Sequence, residues 1–265
     1  MKNYLSMIGN YLLYLAVMIV VILIYNIIVN PILGWGQFGT GENIAVQLFF
    51  VLVATIGLSA IVYKIKYRVL KQTSESFWGI LGFSKISLGS WIYMIIIGLA
   101  FTLLNAAVMK LLLLHNIPSL NDFTESYYHS VSFTTLIVSS VITTALELIV
   151  FIGIMFNEAR KNVPVFWPIL GIALIIAVIQ APGGIWMQLL GVALGFVYGF
   201  IYVKSSSIWS VITIGVAFNV SLFSMKKIGW LDSMENISEI SLIILAVVMA
   251  IFLLGSTVWY WRKSK

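Results

Sequence analysis

An all-α, polytopic membrane protein is the fold class this sequence predicts, and three observations predict it. Of 265 residues, 61% are hydrophobic and only 9% charged, with a mean hydropathy of +1.06, whereas about a quarter of an ordinary soluble domain is charged. Apolar windows of about 20 residues, long enough to cross a hydrocarbon core, recur along the chain. Lys and Arg gather in alternate loops, the mark of a chain with a fixed orientation in a bilayer.

Eight transmembrane helices follow from those windows, at roughly 8–30, 44–63, 91–115, 133–156, 164–181, 185–203, 208–225 and 239–261. The first apolar stretch, running to about Val29, is too long for a signal-peptide core and reads as a retained span. The fifth and sixth are separated only by Ala181, Pro182, Gly183 and Gly184, which stop a helix and permit a tight reversal. The organisation expected is three N-terminal spans with a cytoplasmic interfacial segment over 1–132, a core over 133–225, and a final span with a basic tail over 226–265, all in one membrane domain.

One set of loops collects Lys2, Lys64, Lys66, Arg68, Lys71, Lys85, Arg160, Lys161, Lys204, Arg262, Lys263 and Lys265; the other has Lys226 and Lys227. By the positive-inside rule both termini are cytoplasmic, and Lys226 and Lys227 snorkel from a helix end. The net charge of +6 is thus topological and no nucleic-acid footprint. Cysteine is absent, which excludes disulfides, thiolate metal sites and cysteine nucleophiles. The composition is compatible with a bacterial plasma membrane.

Residues 77–83 (Phe-Trp-Gly-Ile-Leu-Gly-Phe) are too short to span and are expected to lie in the interface, as an anchor, a lipid-proximal gate or a docking strip. The loop 116–132 carries Asp122, Glu125, Tyr127, Tyr128 and His129 in no recognisable ligand spacing and reads as solvated.

The chain is organised around residues 144–156, where Glu147 stands inside an apolar run. A charge at that depth costs roughly 2.5–3.5 kcal/mol on insertion scales, so an intramembrane Glu is a functional-site hypothesis. The alternative is a protonated Glu acting as interhelical glue. At 1.5 Å per residue, Glu147 lies about 14 Å from the cytoplasmic end of its span, Asn219 about 16 Å, Gln180 about 24 Å and Lys110 about 28 Å. Glu147 and Asn219 can therefore share a site, with Gln180 joining if its span starts later. Lys110 is too far for an ion pair with Glu147 and snorkels outward; Asn105 reads as structural.

Catalytic chemistry finds few parts. His115 and His129 fall at or beyond the outer helix ends, and Ser139 and Ser140 have no base at hand. Gly191, Gly195 and Gly199 form small-xxx-small steps that read as close helix packing. Interrupted helices and internal repeats, the signs of a transporter, are missing.

Three stretches carry a resemblance: Glu147 to Arg160, the run Gly191 to Tyr198, and Ser207-Ile208-Trp209-Ser210 leading to Asn219. Together, over about 133–225, they resemble the core of the CPBP family, also called the Abi or type II CAAX-protease family, and the eight-span layout extends the likeness. The resemblance implies a CPBP-like helical bundle. It also implies intramembrane metalloprotease motifs, Glu-Glu-x-x-x-Arg, Phe-x-x-x-His and His-x-x-x-Asn/Asp, on successive helices. With Gly153 and Phe156 fixing the register, the first Glu is Glu147, the second falls on Leu148 and the Arg on Ile152. The second motif falls on Ile176 and Gln180, and the last on Gly215 and Asn219.

The resemblance therefore implies a degenerate site with Glu147, Gln180 and Asn219 as cavity contacts and no metal or other cofactor. The expected function is a catalytically inactive membrane protein that binds or scaffolds a membrane protein or peptide partner. Bacteriocin self-immunity or cell-envelope regulation would be the setting. Two alternatives stand beside it: an active intramembrane endopeptidase with Glu147 as its catalytic base and an unrecognised electrophile or partner-supplied ligand, the one case in which Zn enters, and a small-molecule or ion transporter.

Overall fold

A computed structural model of the chain describes residues 2–34, 43–69, 76–115, 131–180, 184–230 and 237–263. Among the described residues the regular structure is entirely helical. Helix α1 runs Lys2–Ile24, continues through a π-helical turn, Tyr25–Val29, and ends with Asn30–Leu33. Then come α2 (Ile44–Val69), the single turn α3 (Phe77–Ile80) and α4 (Leu88–Leu114). Helix α5 is Phe133–Leu148, extended by a π-helical stretch, Ile149–Phe156, and a last turn, Asn157–Ala159. The chain closes with α6 (Phe166–Ile179), α7 (Gly184–Ser205), α8 (Ile208–Lys227) and α9 (Glu239–Lys263).

Seven of these helices are long and apolar enough to cross a membrane among the described residues, so the chain is an all-α, multi-pass membrane bundle. The fifth expected span differs: α6 has 14 helical residues, or about 21 Å at 1.5 Å per residue, short of a 30 Å core. Pro168 stands in its first turn, where a missing N–H does least harm. The turn residues Ala181, Pro182 and Gly183, and Asp122, Glu125, Tyr127, Tyr128 and His129, lie outside the described residues.

Local chemistry marks the helix starts. Ser76, Ser87 and Ser132 each accept a bond at their side-chain oxygen from a backbone N–H three residues on, at 3.0 to 3.2 Å, satisfying donors the helix itself leaves unpaired.

Helices α4 and α5 form the centre, with 61% of each span buried, and α9 is peripheral, at 11%. Every residue of the π-helical stretch Ile149–Phe156 is buried. Small residues set the closest contacts. A Cβ on Gly191 or Gly199 would meet Ala177 Cα at 3.1 Å or Ile169 Cγ2 at 2.8 Å, and one on Gly195 would strike Ala173 Cα, so the α6–α7 hairpin packs backbone to backbone. Gly98 does the same for α4 against α8, where a Cβ would lie 2.6 Å from that of Ala217. Beside it, Thr102 Oγ1 donates across the interface to the Phe218 carbonyl at 3.1 Å.

The segment 77–83 presents one face outward and inserts the other into the bundle. Trp78 is exposed, whereas Ile80 and Leu81 are buried, Leu81 against Gly153. Its end is tied to the α7–α8 turn, where Ile208 N–H donates to the Gly82 carbonyl at 2.8 Å and Ser84 Oγ to the Ser206 carbonyl at 2.7 Å.

Candidate functional site: a polar pocket at Glu147

A small cavity opens where α5, α6, α7 and α8 converge. Thr144 and Glu147 line it from α5, Gln180 from the end of α6, Tyr198 from α7 and Asn219 from α8, between the apolar walls of Leu148, Phe151 and Ile176. Thr144 and Glu147 are three residues apart and so share a helix face. Gln180 follows the last residue of α6 directly, and it lines the same pocket as Glu147.

Hydrogen bonds fix one side of the pocket. Thr144 Oγ1 donates to the Ser140 carbonyl at 2.7 Å and accepts from Asn219 Nδ2 at 2.8 Å. Glu147 is half-buried and has no hydrogen bond to any described residue.

The cavity volume is about 30 Å³, room for about two water molecules at 10–15 Å³ each. A helix or extended peptide does not fit; a single polar side-chain tip does. Space beside Gly215 is already filled, since a Cβ there would lie 2.6 Å from Thr144 Cγ2 and 2.8 Å from the Tyr198 hydroxyl.

Zinc, which the resemblance implies for active members, does not fit these donors. The pocket offers one carboxylate, two amides, a hydroxyl and a phenol, where catalytic zinc takes three ligands drawn from His, Cys, Asp and Glu. Among the described residues no three such side chains are grouped to hold a metal.

The other sequence candidates stand apart. Ser139 and Ser140 donate back to the Leu136 carbonyl at 3.0 and 2.6 Å, leaving no free nucleophile. Lys110 and Asn105 do not line the pocket. His115 meets Glu239 at 3.0 Å on the exposed surface, joining the ends of α4 and α9.

Two groups had escaped the sequence reading. Tyr198 was legible as a polar aromatic three residues after Gly195, on the same face of a spanning helix. Glu158 was not. It is 1% exposed and ion-paired with Lys66 of α2 and with Lys161, the latter at 3.1 Å; Tyr67 Oη also donates to it at 2.8 Å, and Lys66 reaches Asn10 of α1 at 2.9 Å. Its chief partner lies 92 residues away, and no local pattern announces such a pair.

The fold and site define a class: a multi-pass helical membrane protein with a polar pocket between its core helices. Within that class, residues 129–221 match the family model described as Type II CAAX prenyl endopeptidase Rce1-like, so the chain is similar to that family across α5, α6, α7 and most of α8. No curated protein and no solved structure matches the chain. The match spans all five polar residues of the pocket, and it bears out the likeness to the CPBP family over that core.

Proposed function

We propose that this chain is a catalytically inactive Rce1-like membrane protein that works by binding a membrane protein or peptide partner. The observation that carries the reading is the donor set at the pocket. Where the likeness calls for two imidazoles, the chain has Gln180 and Gly215, and Thr144 and Tyr198 fill the space beside Gly215. Amides neither hold zinc well nor carry protons, so Glu147 has no electrophile to work with. The partner's bulk stays outside the roughly two-water cavity, and one polar side chain enters to meet Glu147, Gln180 and Asn219. The distribution of Lys and Arg supports a plasma-membrane setting with both termini cytoplasmic. Bacteriocin self-immunity or envelope regulation is the process proposed, on the family likeness alone.

The test has two arms. The purified full chain in liposomes, with and without added Zn²⁺, is given a farnesylated CAAX peptide; the expected result is no cleavage. Crosslinked native membranes are compared at matched expression for wild type, Glu147→Ala and Asn219→Ala, and the expected result is a defined partner whose recovery falls in both variants. Cleavage that disappears in Glu147→Ala, with zinc bound one to one, would overturn the proposal in favour of an active endopeptidase. Ion or solute flux abolished by Glu147→Gln would overturn it in favour of a transporter.

A further inference from the structure

A second and larger concavity lies on the opposite flank of α7, between α4, α7 and α9. Its volume is about 570 Å³, within the roughly 300–1,000 Å³ typical of sites that take one small molecule. Phe101, Phe196, Phe200 and Leu253 give it apolar walls, and Trp261 and Arg262 close one end. Thr257 also lines it, but its hydroxyl already donates to the Leu253 carbonyl at 2.8 Å. Before Arg262 is reached, Thr257 and Trp261 are the only polar side chains among the lining residues.

Length and charge narrow the occupant. From Ala250 to Arg262 the groove follows α9 for about 18 Å at 1.5 Å per residue, close to one leaflet of a hydrocarbon core about 30 Å thick. A spanning helix about 10 Å across and 30 Å long is several times too large. A single acyl chain matches both the bore and the depth.

At the closed end, Lys204 Nζ stands 5.6 Å from the centre of the Trp261 ring, and Lys263 Nζ 4.7 Å from that of Trp259. Among the described residues no carboxylate is ion-paired with Lys204, Arg262 or Lys263. Tryptophans of this kind sit at headgroup level, and basic residues beside them attract anionic lipid.

We propose that the α4–α7–α9 groove is a binding site for one anionic phospholipid, with an acyl chain along Phe101, Phe196 and Phe200 and the phosphate on Arg262 and Lys204. The site is separate from the Glu147 pocket and does not rest on the loss of catalysis proposed above. Lipid seated there fills the space between a peripheral helix and the core, so α9 is held by lipid as well as by α4.

The experiment is native mass spectrometry of the full chain in detergent with equal amounts of phosphatidylglycerol and phosphatidylcholine of identical acyl chains. One phosphatidylglycerol per chain is expected, preferred over phosphatidylcholine by roughly tenfold. Lys204→Gln with Arg262→Gln removes exposed or half-exposed charges and is expected to abolish that preference while leaving phosphatidylcholine retention unchanged. Ala193→Trp, which blocks the groove without touching charge, is expected to reduce retention of both lipids. Equal retention of the two lipids by wild type, or a preference that survives the double substitution, would overturn the headgroup assignment and with it the proposal. So would retention unaffected by Ala193→Trp, or dimers of the chain in place of lipid adducts.

Discussion

Asn219 of α8 donates from Nδ2 to Oγ1 of Thr144 of α5 at 2.8 Å, and Thr144 stands one helical turn before Glu147. This bond sets the position of α8 against the pocket. In a thermal double-mutant cycle in detergent, Thr144→Ala and Asn219→Ala are each expected to destabilise, with a coupling energy of about 0.6 kcal/mol, as for other interhelical bonds in membranes. Strict additivity would show that the bond does not hold the helices together.

Glu147 has no hydrogen bond to a described residue, so burying its carboxyl carries a cost of about 1 kcal/mol or more. Glu147→Met is expected to raise the melting temperature by a few degrees while lowering partner recovery. A fall in melting temperature would identify Glu147 as structural glue. Residues kept at a cost to stability are the ones function retains.

Glu158 is the reverse case. Removing it in Glu158→Ala strands Lys66, whose side chain is 19% exposed, and breaking a buried pair in this way costs about 3 kcal/mol. Lys161 is 34% exposed, so Lys161→Ala should cost under about 1 kcal/mol. Folded yield and melting temperature of the two variants check the order; equal effects would contradict the assigned geometry.

Gly195 and Gly57 make a matched pair. A Cβ at Gly195 would collide with the Ala173 backbone, so Gly195→Ala must spread the α6–α7 hairpin, at about 1–3 kcal/mol. Gly57 has nothing within 4 Å, and Gly57→Ala is expected to be neutral or to stabilise by up to about 1 kcal/mol through helix propensity. Melting temperatures moving in the same direction would sink the packing argument.

How much of this was legible depended on how local the cause was. Depth counted at a fixed rise per residue suggested that Glu147 and Asn219 share a level, because both sit in helices whose ends are marked by charge. Gln180 reaches the pocket although that count put it about 10 Å further from the cytoplasmic end than Glu147, because how α6 packs against its neighbours is not set by rise alone. Glu158 was beyond reach from the sequence, since Lys66, Asn10 and Tyr67 come from two distant helices. The π-helical stretch Ile149–Phe156 was equally invisible, because its apolar run suits an α-helix as well.

By itself the sequence determined that the chain is a multi-pass helical membrane protein, where seven of its spans fall, and that the core lacks the histidines its likeness calls for. These properties depend on hydropathy, charge and residue identity, which are read one position at a time. Only the tertiary structure decided that the Glu147 pocket is water-sized and that Glu158 is the more deeply buried acid. It also decided that a leaflet-deep apolar groove ends on Trp261 and Arg262. Cavity volume and ion pairing depend on how separate helices pack in three dimensions, and packing distances are not written in any single stretch of chain.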